Sequence, residues 1–273
     1  MVASVERPTS GVHPGKLFSA ALVSASGVLL FGFELNVAGY LTLAASLVVA
    51  AFVDRTLLRH LALIVAGLVI ISLVPLNADL SIGHMITMGT ALALAVAVPW
   101  LVGRFVYRER IIRFPMLTGT PWSLTARLYL PGVLILGYFI LPVYLIGSGA
   151  YLNWPDASGD PSVFWRLFVG VNSVGIWDEL FFICTTFTLL RQHFPNWLAN
   201  LLQAVLFSSF LWEIGYTGWG PLLTFPFALL QGYTFSLTKS FSYVVTVHLL
   251  FDLVLFLALV HAHNRDWLAI FLY

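Results

Sequence analysis

Asp178 and Glu179 are adjacent within an apolar stretch, VGIWDELFFICTTF (174–187), and His248 and Asp252 stand four residues apart in another, VVTVHLLFDLVLF (244–256). A charged side chain at the centre of a bilayer costs from a few to about 10 kcal/mol unless it reaches water or a partner, so acids at that depth point to a function. Neighbouring residues of a helix project about 100° apart. One member of the acidic pair can therefore face a cavity while the other bonds a neighbouring helix. A carboxylate beside a cavity can act as a general base toward water. The i, i+4 spacing places His248 and Asp252 on one helical face. There they can orient an imidazole, donate to an oxyanion or join a metal site. The bland reading of all four is a set of hydrogen bonds that ties helices together. Glu213, in FSSFLWEIGYTGWG (207–220), is either a further acid of the same kind or an interfacial group between Trp212 and Trp219. Glu34, Asp54, Asp79 and His84 fall near expected helix ends and read as interfacial or capping groups.

The elements that must position these residues are membrane helices. The 273-residue chain is 60% hydrophobic and 9% charged, against roughly 25% charged in soluble domains. Its mean hydropathy is +0.93. This composition predicts an all-α, polytopic transmembrane helical bundle. The net charge of +1 says nothing about nucleic acid, and with no basic patch interleaved with aromatics no nucleic-acid partner is expected; the single cysteine, Cys184, excludes an intrachain disulfide. Runs of about 20 apolar residues are needed to cross a bilayer. They give about nine spans, near 17–34, 38–53, 60–77, 82–103, 126–147, 165–190, 198–216, 221–238 and 241–262. With the N-terminus in the cytoplasm, eleven of the 13 basic residues fall inside, and only Arg166 and Arg265 fall outside. The first 16 residues read as a disordered tail, 17–103 as a four-helix N-terminal part, 104–124 as a basic cytoplasmic loop and 125–265 as the motif-bearing membrane part. The loop has room for a short interfacial helix at 104–113, its arginines near anionic lipid.

Several catalytic templates are missing from the sequence: a Gly-rich phosphate loop, an HExxH zinc helix and a GxSxG serine motif. No pair of Gly/Pro-broken helices marks a transporter site. The order of the remaining motifs resembles the CPBP (Abi) intramembrane proteases, relatives of the type II CAAX prenyl proteases, over residues 165–262. DELFFIC is similar to that family's EExxxR motif, with Asp178 and Glu179 at the acidic positions, Ile183 at the arginine and Cys184 at a glycine. FLWEIGY is similar to its FxxxH motif, with Trp212 at the Phe and Tyr216 at the His. TVHLLFD keeps its HxxxD motif in His248 and Asp252. The resemblance implies peptide hydrolysis, with water activated by Asp178 beside Tyr216 and the oxyanion held by His248 and Asp252. It implies a membrane-protein or prenylated-peptide substrate or partner in contact with membrane lipid, in the cytoplasmic membrane of a prokaryote. The carboxylate mechanism requires no cofactor, while the family's older name leaves room for a divalent metal. Three departures (Asp for Glu, Ile for Arg, Tyr for His) also fit a non-catalytic scaffold or complex subunit of the same fold. Acids used as a relay would instead make a proton- or solute-handling membrane protein. Asp178, His248 and Asp252 fall at mid-bilayer in these spans and Tyr216 near the outer surface, so joining them requires a bent or short seventh helix.

Overall fold

The computed structural model describes residues 12–116, 122–157 and 159–273. The described residues form nine long helices and no strand. They are α1 Pro14–Gly32, α2 Asn36–Val53, α3 Arg55–Ile71, α4 Ile82–Val106, α5 Leu124–Ser148, α6 Pro161–Leu190, α7 Asn196–Ile214, α8 Pro221–Thr238 and α9 Phe241–His263. Each expected span has its helix, displaced by a few residues. Seven of the nine are long and apolar enough to cross a membrane; α3 and α8 are not. The chain is an integral membrane protein with a polytopic helical fold.

Two expectations about the loops change. Pro14 begins α1, so the last residues of the expected tail, 14–16, are helical, while 1–11 lie outside the described residues. His13 caps this helix, its side chain accepting from the Gly15 amide at 3.2 Å. The second change is at 104–113, where no separate helix forms. Arg104 belongs to the last turn of α4, and 107–116 is irregular chain. It is held by side-chain and backbone bonds to its neighbours rather than by a ladder of its own. Residues 117–121 of that loop lie outside the described residues.

Helix starts follow ordinary capping chemistry. Asp160 accepts from the Ser162 amide at 2.7 Å just before Pro161 opens α6. That bond holds its carboxyl below the usual value. Ser123 and Ser240 cap α5 and α9 in the same way. Between helices, polar side chains bond the facing backbone, as they must where no water is at hand. Ser24 of α1 donates to Leu202 O of α7 at 2.9 Å. Asn200 and Gln203 of α7 donate to Leu229 O and Ala228 O of α8 at 2.8 and 3.0 Å. One buried apolar cluster takes residues from both the N-terminal helices and the motif-bearing helices, including Ile64, Leu68, Phe181, Phe207 and Leu259.

Candidate active site

Helices α6 and α9 bring the ionisable groups together, and α8 adds the amide of Gln231. From Glu179 to Phe187 the backbone of α6 widens into π-helical turns, a departure that recurs at functional sites. The hydroxyls of Thr185 and Thr188 follow the wider pitch, donating to carbonyls five residues back at 2.9 and 3.1 Å. The widening starts at the acidic pair. On its near side, Trp177 donates to Leu92 O of α4 at 2.7 Å and stacks on Phe181. On its far side, Phe182 stacks on Phe207 of α7. The pair is thereby fixed in a wall of aromatic rings, each ring burying roughly 150–250 Å².

Asp178 and Glu179 are fully buried, and His248 and Asp252 are each 3% exposed. The two acids split as adjacent helical residues must. Glu179 turns into the helix packing: its Oε1 meets His248 Nδ1 at 2.8 Å and accepts from Gln231 Nε2 at 2.5 Å. Gln231 also donates to Val244 O at 3.1 Å, which locks α8 against α9. Asp178 turns the other way and lines a cavity of about 290 Å³. His248 presents Nε2 on that side, 3.8 Å from Asp178 Oδ2 and 3.8 Å from Asp252 Oδ1. The rings of Phe227 and Phe207 flank the imidazole at centroid distances of 5.0 and 5.9 Å.

Gly175 makes room for this arrangement. It lies one helical turn before the acidic pair, and a Cβ there would fall 2.0 Å from Asp252 Oδ2 and 3.0 Å from His248 Cδ2. The carboxylate of Asp252 therefore rests directly on the backbone of α6. Both oxygens of Asp178 and Oδ2 of Asp252 have no hydrogen-bond partner among the described residues. A buried carboxylate oxygen left so would cost a few kcal/mol. The cavity volume is enough for several waters at roughly 30 Å³ each.

Tyr216 joins the same cavity. Helix α7 keeps the expected length but lies two residues earlier, ending at Ile214, and Gly215 reverses the chain at φ 139°, a conformation that glycine alone adopts freely. The Tyr216 ring then lies under Tyr144, stacked at 6.1 Å, and edge-on to Trp154 at 5.4 Å. Glu213 does not join it. Its carboxylate accepts from the Leu76 amide at 3.4 Å, and it does not line the cavity. Ile183 and Cys184, at the places of the family's arginine and glycine, are completely buried.

With this geometry in view, the comparison with known families is specific. Residues 160–254 match the family described as type II CAAX prenyl endopeptidase Rce1-like. That span begins at the cap of α6 and ends in α9, so it holds the acidic pair, Tyr216, His248 and Asp252. It accounts for the motif resemblance and for a CPBP-like intramembrane protease fold in this part of the chain. Comparison with curated proteins and with solved structures gave no match.

The donor set does not suit a metal. No group of three His, Cys, Asp or Glu side chains among the described residues is disposed to hold one. A metal shared by an imidazole nitrogen and a carboxylate oxygen sits about 2.0–2.2 Å from each, which puts tetrahedral donors about 3.4 Å apart; His248 Nε2 is 3.8 Å from each facing carboxylate oxygen. Nδ1 of His248 is taken by Glu179. What the arrangement offers instead is a carboxylate facing a water-sized cavity, an imidazole oriented by a second carboxylate, and a third acid beside both.

Sequence reasoning found the four buried ionisable residues and Tyr216. It missed Gln231 and Gly175. The signal for Gln231 was present, since it is an amide inside the apolar run of α8, where polar groups need partners.

Proposed function

We propose that the chain is an intramembrane endopeptidase that hydrolyses a peptide bond presented within the cytoplasmic membrane, using water activated by Asp178. The observation that carries this reading is that Asp178, His248 and Asp252 share one cavity while Glu179 is spent on orienting His248. Water held by Asp178 gives up a proton to the carboxylate as its oxygen attacks the scissile carbonyl. The oxyanion that forms is met by His248 Nε2–H and the hydroxyl of Tyr216, with Asp252 setting the face of the imidazole. An imidazole that donates through both nitrogens carries a positive charge, and Glu179 is its counter-ion, held in turn by Gln231. The proton on Asp178 then passes to the leaving amine. In this scheme Tyr216 is a donor and not the second base that a histidine would be, because a phenol does not ionise near neutral pH.

The cavity walls suit an apolar substrate. Met85, Met88, Leu92, Leu167 and Leu255 line it away from the acids. Ser173 on α6 and Gly89 on α4 are exposed cavity-lining residues, so the space opens between these two helices toward the bilayer. A membrane-embedded or prenylated chain fits that opening.

A second reading has its own support. The Glu179–His248–Gln231 network joins three helices whether or not chemistry follows, and Ile183 puts a buried apolar side chain where the family's motif has an arginine. That reading makes the protein a non-catalytic membrane subunit. The two separate on the purified protein in liposomes, offered a library of membrane peptides with and without a metal chelator. Hydrolysis should survive the chelator. Glu179→Gln should lower kcat with KM little changed, because Glu179 positions and does not touch substrate. No cleavage by wild type above the His248→Ala background would leave the subunit reading.

A further inference from the structure

The cavity beside Asp178 lies near the start of α4, whose first residues His84 and Met85 line it. The far end of α4 carries a second cavity, about 510 Å³, lined by Arg104, Arg110 and Arg113 together with Trp100, Leu63 and Leu189. We infer that this cavity binds the phosphate headgroup of an anionic membrane lipid, with an acyl chain running down its apolar wall.

The loop that carries the arginines is fastened. Glu109 N donates to Gly103 O at 2.9 Å, which folds the chain back over the end of α4. The Glu109 carboxylate meets His60 Nε2 at 2.8 Å, and His60 Nδ1 meets His193 Nε2 at 2.8 Å, so α3 holds the loop and is itself braced by the turn after α6. Ile112 is buried, Phe114 packs edge-on to Phe241, and Phe241 N donates to Pro115 O at 3.0 Å. The arginines at 110 and 113 are thus set by the fold over Arg104.

Among the described residues no salt bridge reaches Arg104, Arg110 or Arg113. The one acid that lines the cavity, Glu109, is committed to His60. Arg113 Nε donates to Arg110 O at 2.6 Å, and guanidinium N–H groups match the oxygens of a phosphate. Leu63 and Leu189 form an apolar floor, and Trp100 is 37% exposed at the rim, a place that suits an aromatic ring at the headgroup level. A charged head over an apolar wall is the shape of a lipid. A soluble phosphate would use the arginines alone.

The test uses the delipidated full-length protein in neutral detergent. Retention of phosphatidylglycerol is measured by native mass spectrometry against phosphatidylcholine of the same acyl chains, with glycerol 3-phosphate as the soluble headgroup. One phosphatidylglycerol should be retained at least tenfold more tightly than phosphatidylcholine, and millimolar glycerol 3-phosphate should not displace it. Removing one arginine near a membrane surface is worth about a fivefold change. Arg110→Gln, an exposed position, should weaken retention by about that factor, and the triple glutamine variant by about 100-fold. Arg127→Gln, basic but outside the cavity, should leave retention unchanged. Equal retention of the two lipids, or wild-type retention by a folded triple variant, would overturn the assignment. Displacement by glycerol 3-phosphate would overturn it in favour of a soluble phosphate ligand.

Discussion

Asp252 sits against bare backbone at Gly175, and this contact decides how much the site can change. A methyl group there would have to share space with a carboxylate oxygen 2.0 Å away. Gly175→Ala should therefore displace Asp252 and His248, lower the thermal stability by about 1–3 kcal/mol and suppress activity; a thermal melt and a cleavage assay check both. Tyr216 offers the opposite experiment. It occupies the place of the family's histidine and already lines the cavity, so Tyr216→His should raise the rate of hydrolysis, read as an increase in kcat. At this scale the sequence was informative because ionisable residues are rare in apolar helices. Asp178, Glu179, His248 and Asp252 stand out by type alone. Gly175 did not, because a helical glycine looks the same whether it makes room for a carboxylate or for nothing. Glu213 stood out too, yet it bonds the Leu76 amide outside the cavity. Its partner lies in the connection between α3 and α4, a tertiary contact that spacing along α7 does not encode.

Among the elements, α6 does most of the positioning, and its widening from Glu179 to Phe187 had no sequence signal such as proline or glycine. The end of α7 did have one, since Gly215 follows Glu213 and Ile214 and provides the reversal that brings Tyr216 to the cavity. The turn between α6 and α7 carries a pH dependence of its own. Burial, then the neighbouring His60 and Lys16, push His193 down to about 4 from 6.5, partly offset by Asp54. A histidine with a depressed value favours the folded state while it is neutral. Its contribution is complete above about 6.5 and is lost as pH falls from there toward 4. Asp54, bonded to Lys16 and held at about 2 by that contact and the amides of Leu57 and Thr56, loses its contribution only at lower pH, between 3.8 and 2. Melting temperature in detergent should thus decline between pH 6.5 and 4, and His193→Gln should flatten that decline; an unchanged slope would contradict the assignment.

For the molecule as a whole, hydropathy made the helices legible, because the bilayer sets both the length and the apolar character of the seven that are long and apolar enough to cross it. How they pack was not legible, and neither was the cavity between α4 and α6. The two cavities lie toward opposite ends of α4. With the arginine-rich end in the cytoplasm, the mouth at Asn77, Asp79 and His84 faces outward. Sidedness can be read in intact cells on a Cys184→Ser background. Asp79→Cys should react with a membrane-impermeant maleimide, and Arg55→Cys should react only after lysis; the reverse pattern would invert the topology. The central claim, that Asp178 activates water, is tested most directly by the cleavage rate of a membrane peptide in liposomes for wild type and Asp178→Asn. A positioned general base contributes about 10²–10⁴-fold. The account predicts a loss of at least about 100-fold in kcat with the fold intact, and cleavage by Asp178→Asn at the wild-type rate would contradict it.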